Sequence, residues 1–133
     1  MVKRIDRCVA KHLKWGVPVP DGKCIYMPDY MPWERVCIAG FATLEVSDSV
    51  EDGVRTFTSE LTATLEEIPE YSAEPLAYRV TFQDGSTAVI GLANRPHPTT
   101  AITDKHEKKS SSASVCTLTV RWTGQYMPLI IMD

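Results

Sequence analysis

The sequence predicts a mainly β protein, an antiparallel sandwich or barrel of roughly five to seven strands, with room for one N-terminal helix and a long polar loop. Three stretches carry this expectation. In residues 76–83, Leu76, Tyr78, Val80 and Phe82 alternate with Ala77, Arg79, Thr81 and Gln83, the period of a half-buried strand. Asp84-Gly85 follows and leads into a second β-rich run that ends at Leu92. Asp-Gly between two such runs predicts a hairpin with a type I′ turn, which needs positive φ at both central residues. In residues 54–66, Phe57, Leu61, Ala63 and Leu65 share one face and Thr56, Thr58, Glu60, Thr62 and Thr64 the other. Threonine on the polar face suits a strand better than a helix. In residues 115–123, Cys116, Leu118, Val120 and Trp122 point inward, and Thr117, Thr119, Arg121 and Thr123 outward.

The remaining elements follow in order. In residues 2–15, Ile5, Cys8, Val9, His12 and Leu13 take the i, i+3, i+4, i+7, i+8 spacing of one helical face. No N-cap residue stands before Val2, so a strand remains the alternative. Residues 16–35 contain Gly16, Pro18, Pro20, Gly22, Pro28 and Pro32, which exclude long regular structure. A short strand over 23–27 fits between these breakers, and Tyr26, Tyr30 and Trp33 form an aromatic group that either seals a core edge or binds a ligand. Residues 36–47 read as one strand bent at Gly40, and 48–53 as an acidic turn. Residues 66–75 read as an acidic connector stopped by Pro69 and Pro75. Residues 94–114 read as a long flexible loop within a single domain spanning 1–133, with a short strand near residues 101–103 as the alternative. Residues 125–132, with Pro128 inside, read as an edge strand or an apolar tail.

The chain of 133 residues is 44% hydrophobic, enough for a core. It has no apolar run long enough to span a bilayer, and its charged N-terminus has no secretory h-region. A cytoplasmic protein with reduced thiols is therefore expected. Cys8, His12, Cys24 and Cys37 do not take a zinc spacing. Asp48, Glu51 and Asp52 do not take that of an EF-hand loop. His97, Asp104 and His106 are the residues of the long loop capable of acid–base or metal chemistry. They form no nucleophile elbow, P-loop or HExxH pattern. The expectation is a non-enzymatic protein with no catalytic residue, metal or cofactor.

Charge is unevenly distributed. Residues 1–23 hold six cations against two acids, and residues 45–74 nine acids against Arg55 alone. Such polarity can steer copies of one chain into head-to-tail contact. Lys105, His106, Lys108 and Lys109 form a candidate assembly loop, and Leu129, Ile130, Ile131 and Met132 a candidate docking tail. A different function class, a nucleic-acid- or peptide-binding module, rests on the basic N-terminal segment with Trp15, against which the overall acidic charge counts.

One further pattern bears on function. A long Thr-rich strand follows the Asp-Gly turn at Glu51-Asp52-Gly53. A hairpin ending in Val89-Ile90-Gly91, a Pro-containing loop and a terminal strand come after it. Over about residues 50–125 this order resembles small prophage-encoded neck and tail virion proteins. The resemblance implies a self-assembling structural subunit that forms homo-oligomeric rings, either free in the cytoplasm or within a virion particle. Its partners would be copies of itself or other virion-like proteins.

Overall fold

The computed structural model describes residues 1–15, 17–18, 24–28, 31–105 and 115–132. Among these, eleven strands form two sheets. They are β1 (Val2–Val9), β2 (Val17–Pro18), β3 (Cys24–Tyr26), β4 (Glu34–Val36), β5 (Thr43–Glu51), β6 (Val54–Leu65), β7 (Leu76–Phe82), β8 (Thr87–Ile90), β9 (Thr99–Lys105), β10 (Val115–Gly124) and β11 (Leu129–Met132). The larger sheet has the order β2-β3-β11-β8-β7-β1-β4, and the smaller β5-β6-β10-β9. The smaller sheet is antiparallel throughout. The larger is mixed, because β11 runs parallel to β3. The two sheets pack face to face as a sandwich, not a closed barrel. Among the described residues no helix is long and apolar enough to cross a membrane.

The core between the sheets joins Ile5, Tyr78, Val80 and Ile90 of the larger sheet to Leu61, Leu118, Val120 and Trp122 of the smaller. Each fully buried aliphatic side chain of this kind stabilises the fold by about 2 kcal/mol relative to leaving it in water. The Tyr78 hydroxyl and the Thr100 hydroxyl share a 2.7 Å hydrogen bond across this layer. A second apolar cluster covers the opposite face of the larger sheet and contains Cys8, Leu13, Ile25, Met31, Ala77, Val89 and Leu129.

That second cluster explains why the N-terminal helix is absent. Residues 2–15 form β1 and then a single 3-10 helix, Ala10–Trp15. β1 is covered on both faces, so Ile5, Asp6, Arg7 and Cys8 are all buried and the strand loses the alternation that would mark it. Ile5 faces the inter-sheet core and Cys8 the second cluster, and two residues on opposite faces of a strand stood at helical spacing.

Three further expectations are corrected. Residues 36–47 are not one bent strand. The chain leaves β4 at Val36 and crosses between sheets through single bridges, Ile38 to Leu65 and Val2 to Ala42. It turns at Gly40 (φ +70°) and enters β5 at Thr43. β5 continues through the supposed acidic turn to Glu51. Asp52 (φ +51°) and Gly53 (φ +79°) make the two-residue turn with positive φ at both positions. At Asp84-Gly85 only Gly85 is left-handed (φ +93°). There the Gly85 N–H donates to the Phe82 carbonyl and the Phe82 N–H to the Ser86 carbonyl, which is a three-residue type I turn with a glycine bulge. The Asp84 carboxylate accepts from the Ser86 hydroxyl and N–H, and these bonds hold its pKa below the usual carboxylate value.

The long loop is also shorter than expected, because Thr99–Lys105 pairs with β10 along its whole length. The approach to β9 is tight at Gly91 (φ +108°), where a Cβ would lie 2.8 Å from Pro98 Cγ and 3.2 Å from Ala77 Cβ. Gly91→Ala is expected to cost about 2 kcal/mol through backbone strain and overpacking. Gly85→Ala (φ +93°) meets open space, so the backbone strain alone remains and it should cost about 1 kcal/mol. Urea melts of both variants check the difference.

Candidate assembly surface

The smaller sheet offers two contrasting faces. Its inward face carries the core. Its outward face carries Thr43, Glu45 and Ser47 on β5, Thr58, Glu60, Thr62 and Thr64 on β6, Thr117, Thr119, Arg121 and Thr123 on β10, and Thr99 and Thr103 on β9. Arg121 reaches Glu60 at 2.6 Å, and the Thr58 and Thr123 hydroxyls meet at 3.3 Å. These exposed pairs hold register more than they stabilise, since such contacts contribute under about 1 kcal/mol each.

Among the described residues the sheet ends in two strands, β5 and β9, that have a hydrogen-bonded neighbour on one side only. β5 is exposed along nearly its whole length, with Leu44 half-buried. The β5–β6 arm extends past the last β10 partner, since Gly124 pairs with Phe57 while β6 begins at Val54. On this arm Val46, Val50 and Val54 are exposed. Asp48 and Arg55 pair at 2.9 Å, and the Arg55 guanidinium lies 4.9 Å from the centre of the Phe57 ring. The acids weighed as calcium ligands are thus an ion-paired Asp48, the last residue of β5 and a turn residue.

The candidate assembly loop lies largely outside the described residues, and the side chains of the candidate docking tail are described up to Ile131. Lys105 ends β9, and its side chain, with His106, Lys108 and Lys109, lies outside the described residues. The apolar tail is an interior strand rather than an edge or a free end. Pro128 precedes β11 and so removes no ladder hydrogen bond. Leu129 pairs with Val89 and is fully buried, and Ile131 pairs with Ile25 and is half-buried. Ile130 is half exposed, and the Met132 side chain lies outside the described residues.

The basic N-terminal segment turns much of its charge onto this chain. Arg7 is buried and donates to the Glu70 carbonyl at 2.9 Å, with Glu34 at 3.8 Å. Lys11 reaches Glu74 of the acidic connector at 3.4 Å. Arg4 and Arg79 both pair with the buried Asp6, at 3.2 and 3.1 Å, and Trp33 lies 4.9 Å from the Arg79 guanidinium. Part of the charge polarity seen in the sequence is therefore neutralised within the molecule. Trp15 contributes no described side chain.

Candidates for site chemistry are likewise separate. Among the described residues no group of three or more His, Cys, Asp or Glu side chains converges. Cys8, Cys24 and Cys37 are free thiols. Cys8 is buried, and desolvation pushes its pKa up to about 11, against a smaller opposing effect of Arg79. Burial likewise raises the Tyr78 pKa, opposed by its Thr100 hydrogen bond and by Arg7. Both groups keep their proton longer in the folded chain: the contribution of Cys8 is complete below pH 9 and is lost as the pH climbs through about 11, and that of Tyr78 is complete below pH 10 and is lost above it. The melting temperature should be level from pH 7 to about 9 and fall beyond it, with a shallower fall in Cys8→Ala. The His97 Nδ1 atom is buried without a hydrogen-bond partner among the described residues, while His106 and the Asp104 side chain lie outside them.

The open edges had no signal in sequence, because an edge is a property of strand order. Val46, Val50 and Ile102 are visible as apolar residues, but only the register with β6 and β10 puts them on one face. Comparisons with known proteins found no matching family model, no matching curated protein and no matching solved structure, so the fold and its surfaces are the ground for function.

Proposed function

We propose that the protein is a non-enzymatic structural subunit that assembles with copies of itself, of the kind that builds ring-shaped necks and tails of phage-like particles. The observation that supports this reading is β5, a nine-residue strand at the rim of its sheet whose outer side has no strand partner among the described residues and whose length is solvent-exposed. A long strand of this kind, without proline or bulge, presents unpaired N–H and C=O groups as a template for another chain. The order of features over about residues 50–125 supports the same reading by resemblance.

Light scattering across a range of protein concentrations tests it. A mass that rises to a defined multiple of the monomer is the expected result. Because Arg7 and Lys11 face acids of their own chain, added salt should leave that mass largely unchanged, unlike an assembly steered by exposed charge. A monomer at every concentration and salt overturns the reading.

A further inference from the structure

The smaller sheet is exposed in the same way at both of its ends. On β5 the apolar residues that remain in water are Val46 (39%) and Val50 (65%), and on β9 Ile102 (39%). Register places all three on the inward face: Val46 lies opposite Ser59, Val50 opposite Arg55, and Ile102 opposite the fully buried Leu118. The outward positions beside them are polar or small, namely Glu45, Ser47 and Ser49 on one edge and Thr99, Ala101 and Thr103 on the other. The apolar layer thus runs out to both rims of one face.

Strand direction makes the two rims complementary. The order β5-β6-β10-β9 is antiparallel at every step, so with four strands β5 and β9 run in opposite directions. A second copy set beside the first with the same face inward brings its β5 antiparallel to the first copy's β9, and the alternation continues. Charge favours this over a symmetric β5–β5 contact. β5 carries Glu45, Asp48 and Glu51, which would oppose one another, whereas β9 carries one acid and one base.

We propose that β5 of one copy adds to β9 of the next, extending the four-stranded sheet from subunit to subunit and covering Val46 and Val50 together with Ile102. The contact is heterologous, so it generates a closed ring or an open filament according to the rotation between copies. It rests on the self-assembly reading above and specifies its surface.

The turn geometry supplies a clean test. In a hairpin closed by a two-residue turn, Glu51 and Val54 form a hydrogen-bonded pair, and alternate residues back along β5 do the same. Leu44, Val46, Asp48 and Val50 therefore direct their backbone groups to the open edge. Val46→Pro removes a donor from that edge and none from the β6 ladder. Ile102→Glu puts a charge on the other edge.

Light scattering is run on the wild type, on each variant and on their equimolar mixture, with circular dichroism to confirm folding. The expected result is an oligomeric wild type, two monomeric variants, and a mixture that stops at a dimer, since each variant retains one working edge. Val50→Lys replaces Val46→Pro if the proline variant is unfolded. Wild-type-like assembly by Val46→Pro overturns the proposal while leaving self-assembly standing. So does a mixture that stays monomeric, and so does a dimer formed by Ile102→Glu alone, which indicates a symmetric β5–β5 contact. A wild type that is monomeric throughout removes both readings.

Discussion

Trp122→Ala is expected to destabilise the protein by about 4 kcal/mol, a large share of the roughly 5–15 kcal/mol that holds a domain of this size together. Trp122 is 2% exposed and is the largest fully buried side chain. Three things fail together when it is removed. The inter-sheet core loses a bicyclic ring between Val120 and Tyr126, whose own ring stacks on it at 6.5 Å. The Pro96 carbonyl loses the indole N–H that donates to it at 3.0 Å. The loop before β9 then loses its anchor to β10. Trp122→Phe keeps most of the apolar volume but still orphans the Pro96 carbonyl, so it should cost about 2 kcal/mol. Urea denaturation of the three proteins measures the series. A loss below about 1 kcal/mol for the alanine variant would mean that the site collapses around the gap, contrary to close packing.

The second large effect is expected at Arg79. Asp6 is 1% exposed on β1, between β7 and β4 of the larger sheet, and its two carboxylate oxygens are divided between Arg4 and Arg79. Removing one partner of a buried charge costs more than the pair contributes, because the remaining charge stays desolvated. Arg79 is the more buried partner and also packs on Trp33. Arg79→Ala should therefore destabilise by about 3 kcal/mol, and Arg4→Ala, whose side chain is nearly half exposed, by under about 1 kcal/mol. Asp6→Leu relieves the need for both arginines. In that background Arg79→Ala should cost well under half as much, and a double-mutant cycle measures the coupling. Equal losses in the two backgrounds would place the cost in lost packing against Trp33 instead.

β6 and β10 were legible in sequence because threonines or charges mark a solvent-facing side. β7 was legible although both its faces are covered, because Arg79 and Thr81, half-buried, alternate with Tyr78 and Val80. β1 was not legible, since Asp6 and Arg7 are buried among apolar neighbours and only register reveals their partners on β7 and in the acidic connector. β9 was veiled for a different reason. Ile102 is its sole large apolar residue, and Thr100, though exposed, is recognisable as inward-facing only through its bond to Tyr78. The distal half of β5 was hidden by Asp48, an inward acid made acceptable by Arg55 on the neighbouring strand. Strands of two to four residues, such as β2, β3 and β4, are too short to show any period. Of the candidate site, the residues were visible but the rims were not.

The parallel pairing of β3 with β11 also constrains how the molecule comes into being. Apart from its short contact with β2, β3 has no partner but the strand nearest the other end of the described chain. As the polypeptide emerges from a ribosome, the β7–β8 hairpin and its β1 neighbour can associate, but the rim formed by Ala88 and Val89 of β8 stays open until β11 arrives. During synthesis that rim is a second, temporary template for strand addition, and arrival of Leu129 both seals it and draws the early segment into place. Closure of this sheet therefore waits for β11 to leave the ribosome, and slow synthesis of the residues between β8 and β11 would raise the risk of aggregation through β8.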